Sequence, residues 1–161
     1  MNNVFKDKNL SLELKLRILQ CYIEPVLTYG CESWTVDKDT ERRLEAVEIW
    51  FLRRMLRIPW TEKRRNVDIM EEIGYRRRLM RKINIRKAKF FGHVMRRGGM
   101  ESLVTTGRFE GKRARGKQRM KILDQTTAFM RMERNVDTIQ ATKGRSEWRV
   151  MVANAAKQGT E

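Results

Sequence analysis

Residues 37–60, DKDTERRLEAVEIWFLRRMLRIPW, carry one unbroken helical period, and any fold of this chain has to accommodate it. Leu44, Val47, Phe51, Met55 and Ile58 recur at three- and four-residue steps and share one helix face. Asp37 suits the N-cap after the apolar Val36. Pro59 stops the helix, because it pushes Ile58 out of the helical region. Arg42, Arg43, Arg53, Arg54 and Arg57 fall on the opposite face, with Trp50 among them. On a single helix such arginines read first as a solvated face.

A second helix, over 75–97, divides its labour more sharply. Leu79, Met80, Ile83, Phe90, Phe91, Val94 and Met95 fall within an arc of roughly 160° at about 100° per residue. Arg78, Arg81, Lys82, Arg86, Lys89 and Arg96 fall on the other side with His93. Ile85 is the one apolar residue there, and Lys87, on the apolar arc, has to snorkel. No carboxylate lies between Tyr75 and Arg97. A helix that merely faces water usually mixes signs to gain i,i+4 pairs, so this face suits a polyanion.

The remaining segments also read as helices. Over 10–29, with Asn9 or Ser11 as cap, only Glu13, Arg17, Gln20, Glu24 and Thr28 form a polar stripe. That pattern predicts a central helix packed on two sides, kinked or ended by Pro25. Tyr29 and Trp34 are expected in the core, on either side of a glycine turn that folds the 37–60 helix back onto the first. A short helix over 67–73 is capped by Asn66 and closed by Gly74. Gly98 and Gly99 break the long helix. Beyond them, 105–121, TTGRFEGKRARGKQRMK, is too charged and glycine-rich to pack a core. Lys112, Arg113, Arg115, Lys117 and Arg119 in it suit a phosphate backbone, while a basic linker or a nuclear localisation patch explains them equally. Ile122, Leu123, Phe129 and Met130 begin a further helix, Asn135 or Asp137 starts a short turn, and Ser146 caps a last helix carrying Trp148, Met151, Val152 and Ala155. No strand run is visible. The expected fold is all-α: a small bundle of about five to six helices with a basic glycine-rich loop and a C-terminal helical segment. The expected divisions are 1–62, a helical hairpin; 63–104, a short helix plus the long basic one; 105–121, the linker; and 122–161, the C-terminal helices.

Composition supports a polyanionic partner. Lys and Arg number 36 against 20 Asp and Glu, a formal charge of +16, which costs self-repulsion unless nucleic acid or another polyanion offsets it. Two cysteines, Cys21 and Cys31, and one histidine, His93, are too few for a disulfide framework or a zinc knuckle. Thiols in apolar surroundings fit a reducing, intracellular compartment. The first ten residues lack a signal peptide's apolar run, and no stretch reaches the ~20 apolar residues of a membrane span. Asp7, Asp37, Asp39, Asp68, Asp124 and Asp137 are too scattered for two-metal chemistry, and no phosphate-loop motif occurs. The residues therefore describe a binder without catalytic residues, metal or cofactor.

Five blocks in order, EPVLTYGCESW, RLEAVEIWFLRRMLRIPWTEK, KFFGHVMRRGG, FEGKRARGKQR and GRSEWRVMV, resemble the region after the polymerase palm in reverse transcriptases of non-LTR, LINE-type retrotransposons. The resemblance runs from about Leu12 to Met151. It implies a helical thumb and post-thumb region that grips template RNA and the growing cDNA, making 1–62 thumb-like. The parent activity would be RNA-directed DNA synthesis primed at a nicked target, with Mg²⁺ held by palm aspartates in a Tyr-x-Asp-Asp turn absent from this chain. The endonuclease is absent too, so the chain reads as a carboxy-terminal fragment, a truncated element copy or a domesticated remnant. On this reading the partners are RNA, DNA or an RNA–DNA hybrid; the alternatives are docking on a polymerase palm or self-association, or a non-functional remnant of a mobile element. The expected compartment is nuclear. Arg78, Arg81, Lys82, Arg86, Lys89, the five loop cations and Trp50 are the candidate contacts.

Overall fold

The computed structural model describes residues 2–107, 115 and 120–158. Among them every regular element is helical and no strand occurs, so the protein is all-α. The helices are α1 (Asn2–Lys6), α2 (Leu12–Ile18), α3 (Glu24–Leu27), α4 (Lys38–Leu56), α5 (Asn66–Glu72), α6 (Leu79–Arg97), α7 (Met100–Thr106), α8 (Ile122–Phe129), α9 (Asn135–Ala141) and α10 (Arg145–Gln158). There are more pieces than expected because α1, α7 and α9 span two turns or fewer, too short to show a period, and because a π turn over Leu19–Ile23 separates α2 from α3. The chain forms two compact units, Met1–Tyr29 with Lys38–Met80, and Gly30–Asp37 with Arg81–Glu161.

In the N-terminal unit, α1 and α2 pack on α4 around Phe5, Leu19 and Met55. Ser11 caps α2 by accepting from the Leu14 N–H at 3.3 Å. The regular α-helix is interrupted next to Pro25: the π turn over Leu19–Ile23 stands immediately before it, and Pro25 sits in the first turn of α3. The α2–α3 segment is not central, however. Leu14, Tyr22, Val26 and Tyr29 are exposed, as is Cys21, whereas Lys15, Glu24 and Thr28 are buried. The polar stripe turns inward at its C-terminal end because Thr28 returns its hydroxyl to the Glu24 carbonyl and Glu24 receives Arg78.

Helix α4 buries Leu44, Ile49, Leu52 and Met55, together with Glu48 and Arg53. It ends before Pro59 in a Schellman turn: Arg57 is left-handed at φ +59°, and Ile58 N–H donates to the Arg53 carbonyl at 2.9 Å. Gly74, φ +61°, closes α5 in the same way, with Tyr75 N–H donating to Met70. Asn66 is not a cap. It is the first residue of α5, and its side-chain oxygen accepts from the Arg53 guanidinium.

Helix α6 begins at Leu79 rather than Tyr75. The buried Glu48 carboxylate takes the Tyr75 hydroxyl at 2.6 Å and the N–H groups of Arg78 at 3.1 Å and Leu79 at 3.3 Å. A side chain from α4 therefore supplies the N-terminal cap and holds residues 75–78 outside the helix. Burial first, then the Glu48 contact, pushes the Tyr75 hydroxyl well above its ordinary pKa.

The C-terminal unit has its core where α6, α8 and α10 contribute Ala88, Phe91, Leu123, Met130, Trp148 and Val152. Trp148 donates its indole N–H to the Ala88 carbonyl at 3.0 Å, and a Cβ at position 92 would strike that indole, which is why glycine stands there. Ile85, expected on the basic face, packs against this core, and Phe90, expected inside, is 42% exposed. Lys87 does not snorkel. It is buried, and its ammonium donates to Gln125, whose amide also accepts from Val36 N–H and donates to Val36 O. Desolvation lowers the Lys87 pKa. Gln125 thus ties segment 30–37 to α8, with Cys31 fully buried beside it and its thiol pKa raised chiefly by that burial. Trp34 is half-buried.

Candidate nucleic-acid interface

The cations of the 75–97 segment separate into two kinds. Arg78, outside α6, pairs with Glu24 at 3.1 Å and lies over the Tyr75 ring at 5.6 Å. Arg86 pairs with Glu32 at 2.6 Å. The Glu32 backbone N–H and the Arg86 guanidinium hold that carboxyl below the usual carboxylate value. Arg81 and Lys82 are half-buried. Lys89 is exposed and carries no ion pair among the described residues.

From Lys89 onward the face opens. Lys89, His93 and Arg96, at i, i+4 and i+7 on α6, line a cleft of about 480 Å³ with Arg145 and Arg149 of α10. Trp148 is part of the lining, and among the described residues none that lines it is acidic. Arg96 is pinned by donating to the Thr142 carbonyl at 3.0 Å. The walls are thus set by the core contact of Trp148 with α6, while Lys89, His93, Arg145 and Arg149 stay exposed. A second hollow of about 550 Å³ shares Lys89 and adds Phe90, Arg86, Glu32, Ser33 and Gly30. Sequence reasoning found Lys89 and missed Arg145 and Arg149, because their place beside α6 depends on a core contact 60 residues away in the chain.

Trp50 is 49% exposed, with the Arg54 guanidinium 5.3 Å above its ring. Of the loop cations, Arg115 is exposed, and Lys112, Arg113, Lys117 and Arg119 lie outside the described residues. Among the described residues no three His, Cys, Asp or Glu side chains cluster to hold a metal ion, and no helix is long and apolar enough to cross a membrane.

Over 124 residues the chain is 28% identical to an uncharacterized Caenorhabditis elegans protein described as transposon-derived. The similarity points to a mobile-element origin. It covers 73% of this chain and 44% of the relative, so the chain spans less than half of that protein's length. No family model and no solved structure matches.

Proposed function

We propose that this mobile-element-related chain is a nucleic-acid-binding segment, similar to the thumb region of a non-LTR reverse transcriptase, that grips RNA, DNA or their hybrid by phosphate contacts in the nucleus. It performs no chemistry of its own. Polymerization and nicking belong to palm and endonuclease domains of a parent protein. The observation that carries the reading is the α6–α10 cleft, where lysine, histidine and arginine converge with no carboxylate among the described lining residues. Phosphate oxygens are the ligand that such a set of donors satisfies best. The test is a fluorescence-anisotropy titration with an RNA–DNA hybrid, duplex DNA and single-stranded RNA at several salt concentrations. Binding that tightens steeply as salt falls, strongest for the hybrid, supports the reading. Equal, weak binding of all three contradicts it.

An interaction role is favoured by one feature, the exposed apolar side chains Leu14, Tyr22, Val26 and Tyr29 along α2 and α3. They would dock on a polymerase palm or on a second copy. Light scattering that finds only monomer rules out the second copy.

A further inference from the structure

We infer that the N-terminal unit holds a separate stacking site for one unpaired nucleotide, built on Trp60 and the arginines beneath it. This rests on the nucleic-acid reading above and adds the form of ligand. Trp60 is 81% exposed, an unusual state for the largest apolar side chain, on the corner that follows α4. One face of its ring covers the Arg53 guanidinium, 5.2 Å from the centroid, and the other side is open to solvent. A groove of about 520 Å³ beside it is lined by Lys6, Trp50, Arg54, Arg57 and Pro59 as well. A second hollow, about 310 Å³, adds Lys63 and Arg65 around the same ring.

Two further observations point to a missing anion. Arg53 is more than nine-tenths buried. It donates to the Arg64 carbonyl and to Asn66, yet its Nη1 has no partner, and neither has the buried Nε of Arg54. A buried donor left unmade is costly, so a phosphate oxygen that satisfies it is favoured. Lys6, Arg57 and Lys63 carry no ion pair among the described residues, whereas Arg64 and Arg65 are engaged by Glu72 and Asp68.

An exposed indole backed by a guanidinium, with unpaired cations around it, matches a base on the ring and its phosphates on the rim. Bases inside a duplex are stacked on one another and have no free face to offer, so the ligand is a single strand, a loop or a frayed end. An anionic membrane surface would also use tryptophan and cations, and the test separates the two.

The probes are a labelled oligouridylate of ten nucleotides, an abasic strand with the same number of phosphates, a blunt duplex, and phosphatidylserine vesicles. Trp60→Ala and Trp60→Phe are compared with wild type, since Trp60 is exposed and its loss leaves the core intact. Circular dichroism confirms the fold of each. Trp60→Ala should weaken the oligouridylate roughly five- to a hundredfold, Trp60→Phe far less, and the abasic strand and the duplex by about twofold or less. Equal losses for the abasic and intact strands, no loss at all, or an effect confined to vesicles overturns the stacking site. A Lys89→Gln, Arg145→Gln, Arg149→Gln variant is run in parallel. If it loses affinity while Trp60→Ala is silent, only the stacking site fails. If both are silent, the nucleic-acid reading fails with it.

Discussion

In the N-terminal unit, apart from the corner around Trp60, positive charge is largely answered from within. Arg77 is held by Glu45 at 2.6 Å, Arg78 by Glu24, Arg64 by Glu72, and the start of α6 by Glu48. In the C-terminal unit, Lys89, Arg145 and Arg149 stand exposed around one cleft with no acid among its described lining residues. The difference separates two uses of a cation that look alike along the chain. One orders the fold and costs stability when removed. The other leaves the fold indifferent and stays open to solvent.

The largest effect tests the floor of the cleft rather than its charges. Trp148→Ala should destabilise by about 3–5 kcal/mol, from the lost burial of the indole and its lost hydrogen bond to the Ala88 carbonyl, measured by urea unfolding. Next comes the internal answer to charge and polarity. Glu48→Ala leaves the Tyr75 hydroxyl and two backbone N–H groups without their acceptor, and about 2–3 kcal/mol should be lost. A change below about 0.5 kcal/mol would break the distinction between the two units.

The Tyr75 hydroxyl sharpens it further. Its pKa is raised in the folded state, so its stabilising contribution is complete below the ordinary value of 10.0 and falls away as pH rises above it. Wild type should lose up to about 1.4 kcal/mol per pH unit more than Tyr75→Phe between pH 10 and 11, read by denaturant titration. Parallel pH profiles for the two proteins would show that the Tyr75 hydroxyl is not buried against Glu48 in the folded state. The smallest effect belongs to the cleft: changing Lys89, Arg145 and Arg149 together to glutamine should move stability by no more than about 0.5 kcal/mol.

The helical class, the closing glycine after α5, the Ser11 cap, the break at Gly98–Gly99 and the core roles of Leu123, Met130, Trp148 and Val152 were all legible from period and cap chemistry, which act over a few residues. What stayed hidden depends on partners far away in the chain. Nothing near Arg78 announces Glu24, and nothing near Leu79 announces Glu48. A wheel also assigns a residue to a face without saying whether that face is covered, which is why Tyr22, Val26 and Tyr29 read as core and Arg53 as surface. Gly92 in the F-x-G-H-V block had no visible reason until Trp148 of the S-E-W-R block was found against it. Trp60 follows the helix-stopping Pro59, and nothing near it in the chain announces that its ring lies exposed over Arg53.

The central claim, that the unanswered cations of the α6–α10 cleft hold the nucleic acid, is tested most directly by the salt dependence of hybrid binding in two variants. One carries Lys89→Gln, Arg145→Gln and Arg149→Gln; the other carries Arg78→Gln and Arg86→Gln. Both are measured where circular dichroism finds them folded. The account predicts that the first lowers the slope of log affinity against log salt by about two to three and that the second leaves it nearly unchanged. A slope lowered by the paired arginines and untouched by the cleft residues would contradict it.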